Sequence, residues 1–442
     1  MSDSATHVEK YGIEHIPDEA RHGSPGRTFT LWFAANLTIA DYAIGVLTTT
    51  VFGLTVAQAI PVLALGNLIG GLFLGLSAAM GPKLGFPQMF SSRASFGRQG
   101  NYLFGAFNWV STVGWFTVNT ILGSEAVQAV VPGANFVLVA SVLVVVQMVV
   151  AVYGHDFIQL FERIMSVVLG LLFAFVFLLT VPHFGQVFGA ALPSSGPTAL
   201  GTLAAVFAIS FSYIMSWSPY ASDYSRYLPA STSARRVAVY ALAGGGLASL
   251  GVELIGSLVG AVNGIPTIGG LYTFAAQFGW LAMLAIVLGG MAANALNIYT
   301  NALSALVLDL RAKRTTMVIV GGVAGLALAL IGGAAFESFF ENFLLALDYW
   351  ITPWLAIILV DFYLKRRTTV ASTQGSARFD FRALGVYALS ILVSVPFMVP
   401  PSSPGYPVGA LSGWFGGADV SYFVSFALAA ILTYVLRERT QH

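Results

Sequence analysis

Long apolar runs separated by short polar connections make up most of the chain. Twelve of them reach the ~17 residues needed to cross the hydrocarbon core of a bilayer as a helix. Their limits are about 28–54, 58–80, 101–131, 136–153, 157–181, 199–228, 236–262, 274–308, 317–334, 338–364, 383–399 and 419–436. None alternates apolar and polar residues over about ten positions, as lipid-facing barrel strands do. Helices and closed barrels are the structures a bilayer core tolerates. The pattern therefore predicts an all-α integral membrane protein of twelve transmembrane helices, spans one to twelve in chain order.

Two spans carry polar groups where lipid is expected. Span one contains AANLTIADYAIGVLTTT, with Asp41 near its middle and Asn36, Thr38 and Gly45 around it. An ionisable group at that depth costs a few kcal/mol or more unless it faces a cavity, a partner or an ion. Gly45 with Thr48, Thr49 and Thr50 predicts a local break in this helix. Span six is interrupted by SWSPY, where Pro219 removes a backbone donor and Ser216 and Ser218 can serve the freed carbonyls. The broken helices one and six lie five spans apart, the spacing of a five-plus-five inverted repeat with a site between the halves at the midplane. The expected organisation is a tail at 1–27, a first repeat at 28–181, a second at 199–364, two C-terminal helices within 383–436, and a tail at 437–442. Span eight is too long for one crossing, so a short outer helix at 274–283 is expected before the crossing at 284–308.

Charge and composition sharpen this picture. Of the 442 residues 57% are hydrophobic and 9% charged, against roughly 25% charged in a soluble domain. Mean hydropathy is +0.80. All 20 Lys and Arg residues fall in the two tails, at span ends or in the alternate connections that share one side of a twelve-span chain. By the positive-inside rule both termini are then cytoplasmic, in the cell membrane. The N-terminal segment, Met1 to Arg27, is polar and reads as a solvated tail rather than a signal peptide. A net charge of +1 calls for no nucleic-acid partner. Cys is absent, so disulfides and Cys metal sites are excluded. The six His (His7, His15, His22, His155, His183 and His442) lie in tails or near span ends, which argues against an intramembrane enzyme. No metal centre or cofactor is expected.

Span three offers Trp115 and Asn119, four residues apart and so on one helix face. An indole gives a flat surface for stacking, and an amide gives both a donor and an acceptor. A planar heterocycle needs both. Trp217, at the break of span six, can cover the opposite ring face. Asn294, Asn297 and Asn301 form a polar stripe on span eight, each of which could equally be interhelical glue. Trp32, Trp109 and Trp414 read as anchors at the membrane rim. Asp223, Asp309 and Asp361 lie near span ends among Arg and Lys and read as structural pairs.

At these residues the chain resembles the nucleobase–cation symporter family, in its purine–cytosine permease branch. The similar stretches are Asn36–Gly45 (NLTIADYAIG), Val113–Thr120 (VGWFTVNT), Trp217–Tyr224 (WSPYASDY), Asn294–Tyr299 (NALNIY) and Glu341–Trp350 (ENFLLALDYW). The resemblance implies cation-coupled uptake by alternating access. It implies that Trp115 and Trp217 sandwich a nucleobase, that Asn119 and Asn297 bond its edge, and that backbone around Ala43 lines the pocket. Some relatives carry a hydroxyl where this chain has Ala43. Sodium-coupled relatives carry small hydroxyls on span eight where this chain has Met291 and Ala292, which offer Na⁺ no side-chain oxygen. H⁺ coupling is therefore favoured over Na⁺, with Asp41 the first candidate carrier and Glu253 and Asp348 the other mid-span acids. The alternatives are a Na⁺-coupled symporter of hydantoin-, allantoin- or uracil-like compounds, or a passive channel. The sequence does not fix an oligomeric state; a monomer is the expectation.

Overall fold

The computed structural model describes residues 7–189, 200–265, 267–332, 336–399 and 409–438. Arg439, His442 and the side chain of Glu341 lie outside the described residues. Helices occupy all twelve predicted positions. Span one is Gly26–Ala35 plus Ile39–Thr50, and spans two to five are Val56–Leu84, Tyr102–Val130, Phe136–Tyr153 and His155–Thr180. Span six is Leu200–Met215 continued by Ser218–Tyr220 and Ala221–Ser225, and spans seven to nine are Ala234–Asn263, Gly279–Val307 and Arg314–Gly332. Span ten is Phe336–Leu359, span eleven Phe381–Ser394 and span twelve Ser421–Leu436. Among the described residues there is no strand. Among the described residues eight helices are long and apolar enough to cross a membrane, and the bent pair of span one makes nine.

Local chemistry sets the ends. Thr55 and Gln58 form a capping box that starts span two, and the Ser233 side chain caps span seven. Both helices stop at a left-handed glycine, Gly85 at φ 66° and Gly264 at φ 67°, a conformation glycine adopts without a Cβ penalty. Span three packs along span eight, span two along span seven, and both halves of span one against span seven. Small residues permit these approaches. A Cβ on Gly45 would stand 1.9 Å from the Glu253 carbonyl oxygen, so spans one and seven meet backbone to backbone.

Five expectations are corrected, the last of them at Asp223. The break in span one lies at Asn36–Thr38, with a 58° bend, not at Gly45. Gly45 is helical and serves close packing instead. The short helix before span eight is Ile268–Phe274, and the crossing starts at Gly279 rather than 284. Trp32 is fully buried, edge-on to Trp217, and is no rim anchor, whereas Trp414 is 80% exposed. The N-terminal segment is not merely solvated. Glu9 binds Tyr227 and the Tyr299 hydroxyl (2.9 Å), lies 3.6 Å from Arg226 and 3.7 Å from Arg314, and accepts from the His155 amide at 2.9 Å. Arg21 donates to Ile16 O and Pro82 O. His22 bonds Asp156 at 2.7 Å, and that carboxylate holds the imidazole above its ordinary pKa.

Several basic residues hold acids near the span ends. Arg93 and Arg98 hold Asp309 at 2.8 and 2.7 Å, and Arg437 holds Asp361 at 3.0 Å and Asp380 at 2.9 Å. Asp223 differs from the expected ion pair. It accepts from the Gln88 amide at 2.8 Å and the Thr300 hydroxyl at 2.7 Å.

Gly45→Ala is expected to force spans one and seven apart. The expected result is a lowered melting temperature and loss of monodisperse protein in detergent, measured by thermal unfolding followed by size exclusion. Gly251→Ala is the control, because a Cβ there meets nothing within 4 Å.

Candidate substrate site between the interrupted spans

At the span-one break the helix cannot supply its own partners, and side chains do so. Asn36 Nδ2 donates to Trp32 O at 2.8 Å, and the Thr38 side chain caps Ile39–Thr50 by accepting from the Asp41 amide. In span six, Ser216 donates to Tyr213 O at 2.6 Å as expected, while Ser218 Oγ has no partner among the described residues. The two breaks are joined directly: Trp217 Nε1 donates to Asn36 Oδ1 at 2.9 Å.

The amides of spans three and eight form one network. Asn119 Nδ2 donates to Trp115 O and to Asn294 Oδ1, both at 3.1 Å. Asn297 Nδ2 donates to the same Asn294 Oδ1 at 3.2 Å. Asn294 Nδ2 is anchored by Phe116 O at 3.0 Å and Gln147 Oε1 at 3.1 Å. Tyr220, at the span-six break, donates to Asn297 Oδ1 at 3.1 Å and packs 5.1 Å from Trp217, ring centre to ring centre. Trp115 is bracketed edge-on by Tyr213 at 5.3 Å and Phe343 at 5.2 Å. Trp115 and Trp217 are each 4% exposed, Asn119 3% and Asn297 1%. Asn119 Oδ1 has no partner among the described residues, so a buried acceptor is left for a donor to fill.

Asn119, Asn297 and the Trp115 carbonyl thus share one hydrogen-bonded network, which Trp217 meets through ring contact with Tyr220. Ala43, the fifth expected substrate residue, is half-buried in the first turns of Ile39–Thr50 and packs against the core. Asn301 is interhelical glue, donating to Trp109 O and Thr112 Oγ1 at 2.9 Å.

The acids divide. Asp41 binds Ser249 of span seven and accepts from Thr38 at 3.2 Å. Glu253, one turn beyond Ser249, binds Asn67 and accepts from Ser210 at 3.1 Å. Asp348 is fully buried beside Ser212, whose hydroxyl donates instead to Leu344 O at 2.7 Å. Neither Asp348 oxygen has a hydrogen-bond partner among the described residues.

The sequence profile of permeases for cytosine/purines, uracil, thiamine and allantoin matches residues 15–425. The chain belongs to this family. It is accordingly a multi-pass membrane transporter and not an enzyme. A putative purine-cytosine permease of Bacillus subtilis, YxlA, is 30% identical over 97% of this chain and 96% of its own. Purine-cytosine permease fcyB of Emericella nidulans is 28% identical over 97% of this chain and 88% of its own. Among solved structures, Mhp1, a nucleobase-cation-symport-1 family transporter in a closed conformation with bromovinylhydantoin bound, superposes with a TM-score of 0.78 at 20% identity. That match covers 97% of this chain and 94% of the other, and it shows the same fold.

Sequence reasoning missed several permease residues. Tyr220 is three positions past Trp217, in the same SWSPY interruption. Gln147 is the one amide in span four, which is otherwise apolar but for Ser141 and the terminal Tyr153. Glu162 of span five is fully buried with neither oxygen partnered among the described residues. Its place beside Arg163 hid it among the end charges.

Asn294→Ala is expected to release both Asn119 and Asn297 from their shared acceptor. Stabilisation of the protein by added cytosine or adenine should be lost in a thermal-shift assay, while the ligand-free melting temperature falls by far less than for Gly45→Ala.

Proposed function

We infer that the protein is a secondary active importer of nucleobases, such as cytosine or purines, working by H⁺ symport and alternating access. The observation that carries this reading is the joining of two interrupted helices by the Trp217–Asn36 bond next to buried indoles and amides. Trp115 and Trp217 sandwich the ring. Asn119 and Asn297 read its edge, and backbone near Ala43 closes the pocket. The purine-cytosine permeases among the relatives favour a base over a hydantoin. A yeast relative, vitamin B6 transporter TPN1, is 25% identical over 81% of this chain and keeps a pyridine-type ring among the compounds to test.

H⁺ is favoured because Met291 and Ala292 bring no side-chain oxygen to span eight. Asp41, Glu253 and Asp348 are the candidate carriers, and Glu162 joins them as a further buried acid. The two repeats are 28–181 and 199–364, in a monomer in the cell membrane. The end rich in Arg and Lys, with both termini, faces the cytoplasm.

The test is uptake of labelled cytosine, adenine, hypoxanthine, uracil, allantoin and pyridoxine into proteoliposomes. Accumulation above equilibrium under an inward proton gradient, abolished by a protonophore and indifferent to Na⁺, is expected. Asn297→Ala should cost about 1–3 kcal/mol of binding, roughly 5- to 150-fold in affinity. Equilibration without accumulation would overturn symport, and normal uptake by both Trp115→Ala and Asn297→Ala would overturn the pocket.

A further inference from the structure

Asp41 and Glu253 sit where spans one and seven touch. The Asp41 carboxylate takes donors on both oxygens: Ser249 on Oδ1, and the Thr38 hydroxyl on Oδ2 at 3.2 Å. Glu253 takes two donors, Asn67 and Ser210, on Oε2 alone, and its Oε1 has no partner among the described residues. Ser249 and Glu253 are four residues apart on one face of span seven. Both acids are fully buried. The titratable groups facing Asp41 are Glu253 of span seven and Tyr213 of span six, and Asp41 in turn faces Glu253. Tyr220 also faces Tyr213. No Lys, Arg or His forms an ion pair with either acid among the described residues. Two negative charges this close, in low dielectric and without a counter-ion, repel strongly, so the pair keeps at least one proton.

Donor accounting places that proton. A carboxylate only accepts, while a carboxylic acid also donates. Asp41, with a donor on each oxygen, is bonded as a carboxylate. Glu253 has both its donors on one oxygen, which the carbonyl oxygen of a neutral acid can accept, so the proton is assigned to Glu253.

Hydroxyl directions follow. With the Thr38 proton on Asp41, the 2.8 Å bond between Thr38 and Tyr213 takes its proton from the tyrosine, whose hydroxyl also bonds the Asp41 carboxylate directly. The chain runs one way, from the Tyr213 hydroxyl to the Thr38 hydroxyl to the Asp41 carboxylate. A proton arriving on Asp41 Oδ2 reverses it. Asp41 then donates to Thr38, Thr38 donates to Tyr213, and the phenolic proton loses both of its acceptors, Thr38 and the Asp41 carboxylate. The Tyr213 ring stands edge-on to Trp115, 5.3 Å between ring centres and nearly perpendicular at 89°. Tyr213 thus touches both the Asp41 cluster and the indole that the importer reading assigns to the cargo.

We propose that Thr38 and Tyr213 form a hydrogen-bond switch between Asp41 and the cargo. The Tyr213 hydroxyl becomes a donor for an acceptor atom on the cargo's edge, a ring nitrogen or carbonyl oxygen, only when Asp41 is protonated. Glu253 keeps its proton throughout. This rests on the H⁺-coupled importer reading above. It supplies the linkage that symport needs: the proton leaves a buried donor unpaired, the cargo pairs it, and each binds better with the other. Reciprocal coupling of this kind is on the order of 5- to 150-fold. It also selects cargo, because a planar ring lacking an acceptor at that edge gains nothing from protonation.

The experiment is equilibrium binding of labelled cytosine and adenine to purified protein from pH 5.5 to 8.5, with melting temperatures as a fold control. The intact protein should bind more tightly at low pH, by a factor in the range above. Tyr213→Phe keeps the ring against Trp115 and removes the donor, so it should bind at the weak, high-pH level throughout. Asp41→Asn places an amide donor toward Thr38 and should bind at the tight level throughout. This opposite pair is an outcome that a packing defect does not produce. Undiminished pH dependence in Tyr213→Phe would overturn the switch and leave the importer reading intact. Binding by the intact protein that ignores pH would overturn both the switch and H⁺ coupling. No binding of either base at any pH would overturn the switch together with the choice of cargo.

Discussion

The hydrogen bond from Trp217 to Asn36 links two places where helices stop inside lipid. Each break frees backbone groups that need partners. In the bilayer core no water replaces a lost helical partner, and each unsatisfied backbone group costs several kcal/mol. The protein meets this cost with its own side chains. Asn36 turns its amide nitrogen to Trp32 O and its oxygen to Trp217, Thr38 caps the second half of span one, and Ser216 serves a span-six carbonyl. The two breaks are thus joined, and buried indoles and amides lie beside them.

Backbone contact holds this arrangement in place. Gly45 and Gly256 let spans one and seven touch: a Cβ on Gly256 would stand 2.2 Å from Tyr42 O. Gly289 does the same for span eight, where a Cβ would meet Leu37 O at 2.2 Å, within the span-one break itself. The break is therefore gripped from two sides. Such grips act by shape rather than by the hydrophobic effect, since lipid tails are as apolar as the side chains they would replace. The same closeness brings Ser249 to Asp41 and keeps Glu253 one turn away, so the packing that fixes the bend also fixes the acids beside it.

Much of this was legible in the sequence because membrane spans are read by length and apolarity alone. Span four came out at Phe136–Tyr153 with both ends as expected. Trp115, Asn119, Trp217 and Asn297 stood out because amides and indoles in a crossing helix need a reason. What misled was ambiguity of cause. Glycine marks both breaks and close packing, and Gly45 serves the second, so the bend was placed too late in span one. Tryptophan marks both rims and cores, and Trp32 belongs to the core because Trp217 needs a neighbour for its ring. The polar tail read as solvated because no periodicity announces a segment that folds only against other helices' ends. Glu9 is one charge in a charged stretch until Arg226, Arg314 and two tyrosines surround it. The Asp41–Glu253 pairing was out of reach for a similar reason. Their separation of 212 positions becomes one helical contact only after the chain folds back on itself.

The central claim is that a flat guest sits between the two breaks. A structure of the protein with cytosine or adenine bound tests it most directly. The account expects the base in van der Waals contact with the faces of Trp115 and Trp217, its edge bonded to Asn119 and Asn297, and the Asn36–Trp217 bond intact. A base bound outside the two breaks, or touching neither indole, would contradict it.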